Sequence, residues 1–447
     1  MTAHPESSFG IRRATAADAP ALAQADAALD ADGDGMANGW EQASGLDPLN
    51  AADAAALAAL AWALIPRPVP VETATVTKGK FVATHGTQQP IEIYEAMDVV
   101  GVFNEFWGVI SDVVKLESVP EALSISASTG TPGEVCSFFR NMDGLMHAGK
   151  WPRTDFMLYA TSSCDNVKAF HTLGRRYGIP SFGMERPHYP FTARALDFWK
   201  NEHKRLIAFL EEQTGKKLDY DRLKETVRLS YRLTELCLDI DKLVAHVPSP
   251  MSSECFGGVL LALRLMCGTQ DAVDFLTGLR DELQERVDNG IGAVKDERFR
   301  VMWSSFTPFF DPKLMGFMQQ KYGAVSVCEM LARWRGEANW MLDPDDPLGN
   351  LAYRTQLAPG NCQYAPSIDW AENSVAQARI FKADGAIFNN NWGCKQAAGL
   401  GPIVRDELMR HCGVPTLACT RSSSRSRRTS SAAEGSGTAL APPSSQF

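Results

Sequence analysis

The chain has 447 residues, 45% of them hydrophobic and 22% charged, which is ordinary for a folded protein with more than one packed core. Forty-four Lys and Arg against 53 Asp and Glu leave a net charge of −9, which argues against a nucleic-acid backbone as partner. No run approaches the ~20 apolar residues of a membrane span, and residues 1–20 lack the apolar stretch of a secretory signal. A cytoplasmic protein with reduced thiols is expected, its ten cysteines too dispersed for a disulfide framework.

The composition divides the chain into an Ala/Asp-rich extension (1–79), an α/β segment (80–190), a helical segment (191–295), a second α/β segment (296–419) and a Ser/Arg tail (420–447). The extension contains Asp30-Ala31-Asp32-Gly33-Asp34-Gly35-Met36-Ala37-Asn38-Gly39-Trp40-Glu41. Carboxylates of Asp30, Asp32 and Asp34, the Met36 carbonyl, Asn38 through water and bidentate Glu41 are the oxygen set of a Ca²⁺ loop. The loop resembles those of dockerin and thrombospondin type 3 repeats; a solvated acidic turn is the alternative.

In the first α/β segment the apolar run Phe156–Ala160 reads as a strand, followed by a helix and then Gly178-Ile179-Pro180-Ser181. The second segment repeats this grammar: Gly385–Phe388, a helix through Leu408 and Met409, then Gly413-Val414-Pro415-Thr416. Two such strand–helix–strand units predict two doubly wound parallel sheets. Between them, Leu196, Trp199, His203, Leu206 and Leu210 share one helical face. A second helix enters through Asp219 or Asp221 with Leu223, Val227, Leu233 and Cys237, and a third carries Phe275, Leu279, Leu283 and Val287 to a stop near Gly290. His203 and Cys237 lie in apolar stripes and read as core. Cys255 and Cys362 read as loop residues.

Ligands of open α/β sheets gather at the carboxyl ends of strands, beside the N-termini of the following helices. Cys164 and Cys394 stand there in the two repeat units, and Cys136 opens a helix after a Gly/Pro turn. A helix N-terminus favours the thiolate, and converging thiolates suit zinc or an iron–sulfur cluster. Three inert buried thiols are the other possibility, since spacings of 28 and 230 residues match no compact motif.

Glu134-Val135-Cys136-Ser137-Phe138, Ser163-Cys164-Asp165 and the Cys394 turn resemble the three cysteine motifs of the benzoyl-CoA reductase / 2-hydroxyacyl-CoA dehydratase family. Pro90–Asp98 is similar to the family's early helix. Pro248-Ser249-Pro250 with Phe256-Gly257-Gly258, and Asp343-Pro344-Asp345-Asp346-Pro347-Leu348-Gly349, resemble the B-type subunit of benzoyl-CoA reductase. The resemblance covers about residues 80 to 419 and implies a [4Fe-4S] cluster ligated by Cys136, Cys164 and Cys394. It further implies one-electron reduction of a CoA thioester, by a benzoyl-CoA reductase or a 2-hydroxyacyl-CoA dehydratase. The partners it implies are a homologous second subunit and a separate ATP-hydrolysing activator. The chain itself has no G-x-x-x-x-G-K-[ST] phosphate loop.

An electron-relay or scaffold subunit, and a calcium-binding protein with unrelated thiols, are the competing readings. His85, Glu92, Glu105 and His188 are candidates for moving protons, but each reads first as solvated or structural. Where the family would continue into an acidic loop and closing helix, the Ser/Arg tail begins at Thr420, and a lost reading frame is expected there.

Overall fold

The computed structural model describes residues 80–421 except 87–88, 108–118, 162–164, 188–191, 309–312, 331–342, 358–366 and 392. The predicted calcium loop (Asp30, Asp32, Asp34, Met36, Asn38, Glu41), Cys164, His188, Cys362 and the Ser/Arg tail beyond Arg421 lie outside the described residues.

The first α/β half places β1 (Phe81–His85), β2 (Val99–Phe103), β3 (Phe156–Ala160) and β4 (Ser181–Met184) in a parallel sheet of order β2-β1-β3-β4. The second half repeats that order with β5 (Phe299–Trp303), β6 (Ala324–Glu329), β7 (Gly385–Asn391) and β8 (Thr416–Arg421), giving β6-β5-β7-β8, again all parallel. The fold is therefore the doubly wound α/β architecture expected, present twice. The central strands are buried along nearly their whole length, as covered parallel sheets require: β5 from Arg300 to Trp303 and β7 from Ala386 to Asn391.

The first half also holds α1 (Ile91–Ala96), α2 (Val119–Ser128), α3 (Ser137–His147) and α4 (Asn166–Tyr177). The shared Gly-Ile/Val-Pro-Ser/Thr signature has a direct cause. Gly178 ends α4 in the left-handed region (φ 66°), and Pro180 bars further helix before β4. Gly413 (φ 65°) and Pro415 do the same between the later helix Lys395–Cys412 and β8.

The helical segment contains α5 (Ala193–Thr214), α6 (Tyr220–Val244), α7 (Cys255–Leu265) and α8 (Gln270–Asp288). Asp219 is the N-cap of α6, its carboxylate accepting from the Asp221 and Arg222 amides at 2.9 and 3.2 Å. The sequence reading of three helices here missed α7. Its run CFGGVLLALRL is apolar nearly all round, so it shows no amphipathic stripe, only burial. Cys255 accordingly opens a helix instead of lying in a loop. His203 and Cys237 are core, at 0% and 2% exposure.

The second half adds α9 (Lys313–Tyr322), α10 (Pro347–Leu357), α11 (Ser367–Ile380) and α12 (Lys395–Cys412). The Asp343–Gly349 motif is the N-cap of α10. The Asp346 carboxylate accepts from the Gly349 amide at 2.9 Å, with Pro347 at the first helical position. Lys200 of α5 pairs with Asp346, and Lys224 of α6 with Asp345 at 2.7 Å, so this acidic turn docks α10 onto the helical segment.

One buried apolar cluster runs from α3 and β3 through α6, α7 and α8 into β5, β6 and β7. A second packs α1, α5, α6 and α10 on the first sheet. Among the described residues no helix is long and apolar enough to cross a membrane.

Candidate functional site

In each sheet the chain order reverses between the two central strands, β1/β3 in the first and β5/β7 in the second. Such a reversal opens a crevice beyond the strand ends. Thr161 follows β3 at the first crevice, and Cys394 comes shortly after β7 at the second. Cys136 and Cys394 are the N-cap residues of α3 and α12. The Cys136 carbonyl accepts from the Phe139 and Arg140 amides at 3.0 and 3.1 Å, and the Cys394 carbonyl from the Ala398 amide at 3.0 Å.

The two cysteine loops touch. Gly393, in the left-handed region at φ 81°, passes so close to the first loop that a Cβ would stand 2.8 Å from both the Cys136 Cα and the Val135 carbonyl oxygen. Any other residue there is both strained and in collision. Asn391, at the end of β7, donates from Nδ2 to the Cys136 sulfur at 3.5 Å and accepts from the Ser137 hydroxyl at 3.0 Å. The third loop arrives through Asp165, which immediately follows Cys164. Its carboxylate accepts from the Cys136 amide at 3.0 Å. Lys395, next to Cys394, pairs with both Asp165 carboxylate oxygens at 2.8 and 2.6 Å and donates to the Glu134 carbonyl at 3.2 Å.

The structure thus brings Cys136 and the Cys394 loop together and places the neighbour of Cys164 against them. Among the described residues no group of three or more His, Cys, Asp and Glu side chains is poised around one point, and Cys164 is not one of those residues. Cys136 and Cys394 are donors of the type a thiolate-ligated iron group takes, and the Asn391 amide offers the Cys136 sulfur a hydrogen bond of the kind such groups accept. Desolvation pushes Cys267 up to about 11 and Cys328 well above its ordinary value, so neither favours the thiolate a metal needs.

Beside the first crevice lies a small pocket lined by His85, Gly86, Gln89, Phe103, Leu263 and Arg354, among others. Gly86 packs against Asn166, two residues beyond Cys164, leaving no space for a Cβ. One wall of the pocket therefore lies against the first turn of α4. Its polar walls are fixed. Arg354 of α10 pairs with Glu92 of α1 at 2.6 Å, both side chains 2% exposed. Burial holds His85 neutral, its pKa lowered to about 4, with Nδ1 2.8 Å from the Gly86 carbonyl oxygen. Its ring stacks on Phe103 at 5.4 Å. Desolvation raises Glu105, just past β2, to about 7, opposed by the charge of Arg264 at the pocket wall. Gln89 accepts from the Tyr94 hydroxyl at 2.8 Å, while its buried Nε2 has no partner. Of the four residues read as possible proton carriers, His85 and Glu92 are thus buried and fixed, and Glu105 titrates near neutrality.

Asp165, Lys395, Asn391 and Arg354 were not singled out by the sequence. One signal was available: the residues following Cys164 and Cys394 carry opposite charges.

Fold and site define a class: a duplicated doubly wound α/β protein in which a cysteine at a helix N-terminus of the first half meets the cysteine loop that follows β7 in the second. The sequence model of the family described as "2-hydroxyglutaryl-CoA dehydratase, D-component" matches residues 87–435. The B-type subunit of benzoyl-CoA reductase from Thauera aromatica is 26% identical over 315 residues, 64% of this chain and 71% of that one. The (R)-phenyllactyl-CoA dehydratase alpha subunit of Clostridium sporogenes is 23% identical over 301 residues, with the same coverages of 64% and 71%. The alpha subunit of (R)-2-hydroxyglutaryl-CoA dehydratase from Acidaminococcus fermentans is 21% identical over 271 residues, 59% of this chain and 55% of that one. The chain belongs to the 2-hydroxyglutaryl-CoA dehydratase D-component family, whose members are components of acyl-CoA dehydratases and reductases.

Proposed function

We propose that this chain is the [4Fe-4S] subunit of an acyl-CoA reductase or dehydratase, with Cys136, Cys164 and Cys394 as the cluster ligands. The observation that carries the reading is the contact of the Cys394 loop with the Cys136 backbone through Gly393, with Asp165 hydrogen-bonded to the same Cys136. When bound, the cluster supplies single electrons and a Lewis-acidic iron for a thioester carbonyl oxygen. The chain's own residues shape the rest. In the first half, Phe103, Ile91 and Leu263 form the apolar side of the small pocket, and burial keeps its His85 ring neutral. Glu105, pushed to about 7 by desolvation, is a carboxyl that can hold or give up a proton near neutral pH. The partners in this reading are a homologous second subunit and a separate ATP-hydrolysing activator, in keeping with relatives that are themselves named as alpha or B-type subunits.

The test is anaerobic reconstitution with iron and sulfide. Cys136→Ser, Cys164→Ser and Cys394→Ser each lose the cluster's absorption and EPR signal, while Cys237→Ser and Cys328→Ser retain both. Full cluster content in Cys394→Ser refutes the assignment. Assay of the assembled enzyme with benzoyl-CoA and a panel of 2-hydroxyacyl-CoA thioesters then separates reductase from dehydratase.

A further inference from the structure

We propose that Asp165 and Lys395 form a clasp that holds the three cysteine loops in register, so that the pair positions the cluster ligands without touching the substrate. The inference rests on the cluster reading above. The two residues stand at the starts of α4 and α12, one helix in each half, 230 positions apart, and each directly follows a cysteine. Asp165 takes the Cys136 amide on one carboxylate oxygen and the Lys395 ammonium on both; Lys395 spends a further hydrogen on the Glu134 carbonyl, two residues before Cys136. Four bonds therefore tie the segments around positions 136, 165 and 395 into one closed loop of contacts.

The charges suit the pairing: in the cluster reading Asp165 neighbours two of the proposed thiolate ligands, and the Lys395 ammonium sits against its carboxylate with the opposite charge. The side chain of Lys395 is 55% exposed and that of Asp165 12%, so solvent screens the pair and it adds little to overall stability. Its value lies in geometry: partners that orient metal ligands typically matter by about 10–100-fold in metal retention.

The experiment uses the full chain, reconstituted anaerobically with iron and sulfide, in the variants Lys395→Met, Asp165→Asn, Lys395→Arg and the Lys395→Met/Asp165→Asn double. The first readout is the rate at which a ferrous chelator strips iron, with the EPR signature of the reduced cluster alongside. The second is the alkylation rate of Cys136 and Cys394 by iodoacetamide in the metal-free protein. Lys395→Met is expected to lose iron about tenfold faster or more. Asp165→Asn is impaired less, and the double variant is less impaired than Lys395→Met, because it no longer leaves a lone carboxylate beside sulfur. Lys395→Arg keeps the charge and the donors, and it retains iron at close to the wild-type rate. Thermal unfolding of the metal-free variants stays near wild type, which separates positioning from a folding defect.

Wild-type iron retention and alkylation rates in Lys395→Met and Asp165→Asn overturn the clasp and leave the cluster reading intact. If the unaltered chain takes up no iron and sulfide, the cluster reading falls instead. The alkylation arm then decides the clasp alone: faster modification of Cys136 and Cys394 in Lys395→Met upholds it, and unchanged rates refute it.

Discussion

Asn391 shows how much a single amide can do at this site. The Ser137 hydroxyl fixes its oxygen, which leaves Nδ2 aimed at the Cys136 sulfur. Hydrogen bonds to cluster sulfur stabilise the more negative, reduced form, so Asn391→Leu is expected to lower the midpoint potential of the reconstituted protein while leaving iron content unchanged. Redox titration followed by EPR checks it; an unmoved or raised potential removes Asn391 from that role. Two buried histidines set a different, pH-dependent property. His85 and His203 are both held neutral by desolvation, each lowered from 6.5 to about 4. Because the unfolded chain binds those protons more readily, the stabilisation is full above pH 6.5 and is lost as pH falls through about 4. Each shift corresponds to about 3 kcal/mol across that window. Chemical denaturation between pH 7 and 4 should show the loss, and His203→Gln should flatten the slope by about half of what the two histidines contribute together.

At the scale of elements, α10 connects the family's acidic motif to the pocket. Its N-cap is pinned by Lys200 and Lys224, and one end of the helix delivers Arg354 to Glu92 of α1 and Thr355 to the Trp199 indole at 2.9 Å. Arg354 also donates to the Thr234 hydroxyl at 3.3 Å and approaches the Cys267 sulfur at 3.8 Å. A fully buried ion pair is a poor source of net stability, but breaking it strands a charge. Arg354→Met should therefore destabilise the protein by about 3–5 kcal/mol, and Glu92→Met/Arg354→Met should recover most of that loss. Urea unfolding of the single and double variants checks the sign. If the double variant is as unstable as the single, the stranded Glu92 carboxylate is not the cause. The same pair marks a boundary of sequence reasoning. Glu92 was visible as a polar residue near an element end, yet its partner lies 262 positions away and only packing introduces them. The Gly-x-Pro punctuation of β4 and β8 and the stripes of α5, α6 and α8 were legible because they are local rules. α7 was not, because a helix buried on every side has no pattern to read.

At the scale of the whole molecule, the duplicated parallel α/β architecture could be inferred from two short repeats. The contacts that hold the cysteine loops together could not, because Gly393 against Cys136 and Asp165 against Lys395 depend on how one half docks on the other. That docking is substantial. The Phe138 and Phe306 rings meet at 6.2 Å between centroids, and one buried apolar cluster continues from α3 through the helical segment into β5–β7. A core shared in this way argues that the halves unfold together, since neither can lose its packing without exposing the other's apolar surface. The metal-free protein is accordingly expected to melt in one calorimetric transition, with agreement between calorimetric and van't Hoff enthalpies. Metal that binds only the folded chain raises that transition by mass action and keeps it single. Gly393→Ala tests the link, because it disturbs the seam between the halves without touching either sheet interior. It should lower the melting temperature of the metal-free protein and abolish most of the upward shift on loading with iron and sulfide. Two resolved transitions in the unaltered metal-free chain, one per half, would show that the loops are assembled by the metal and not by the fold.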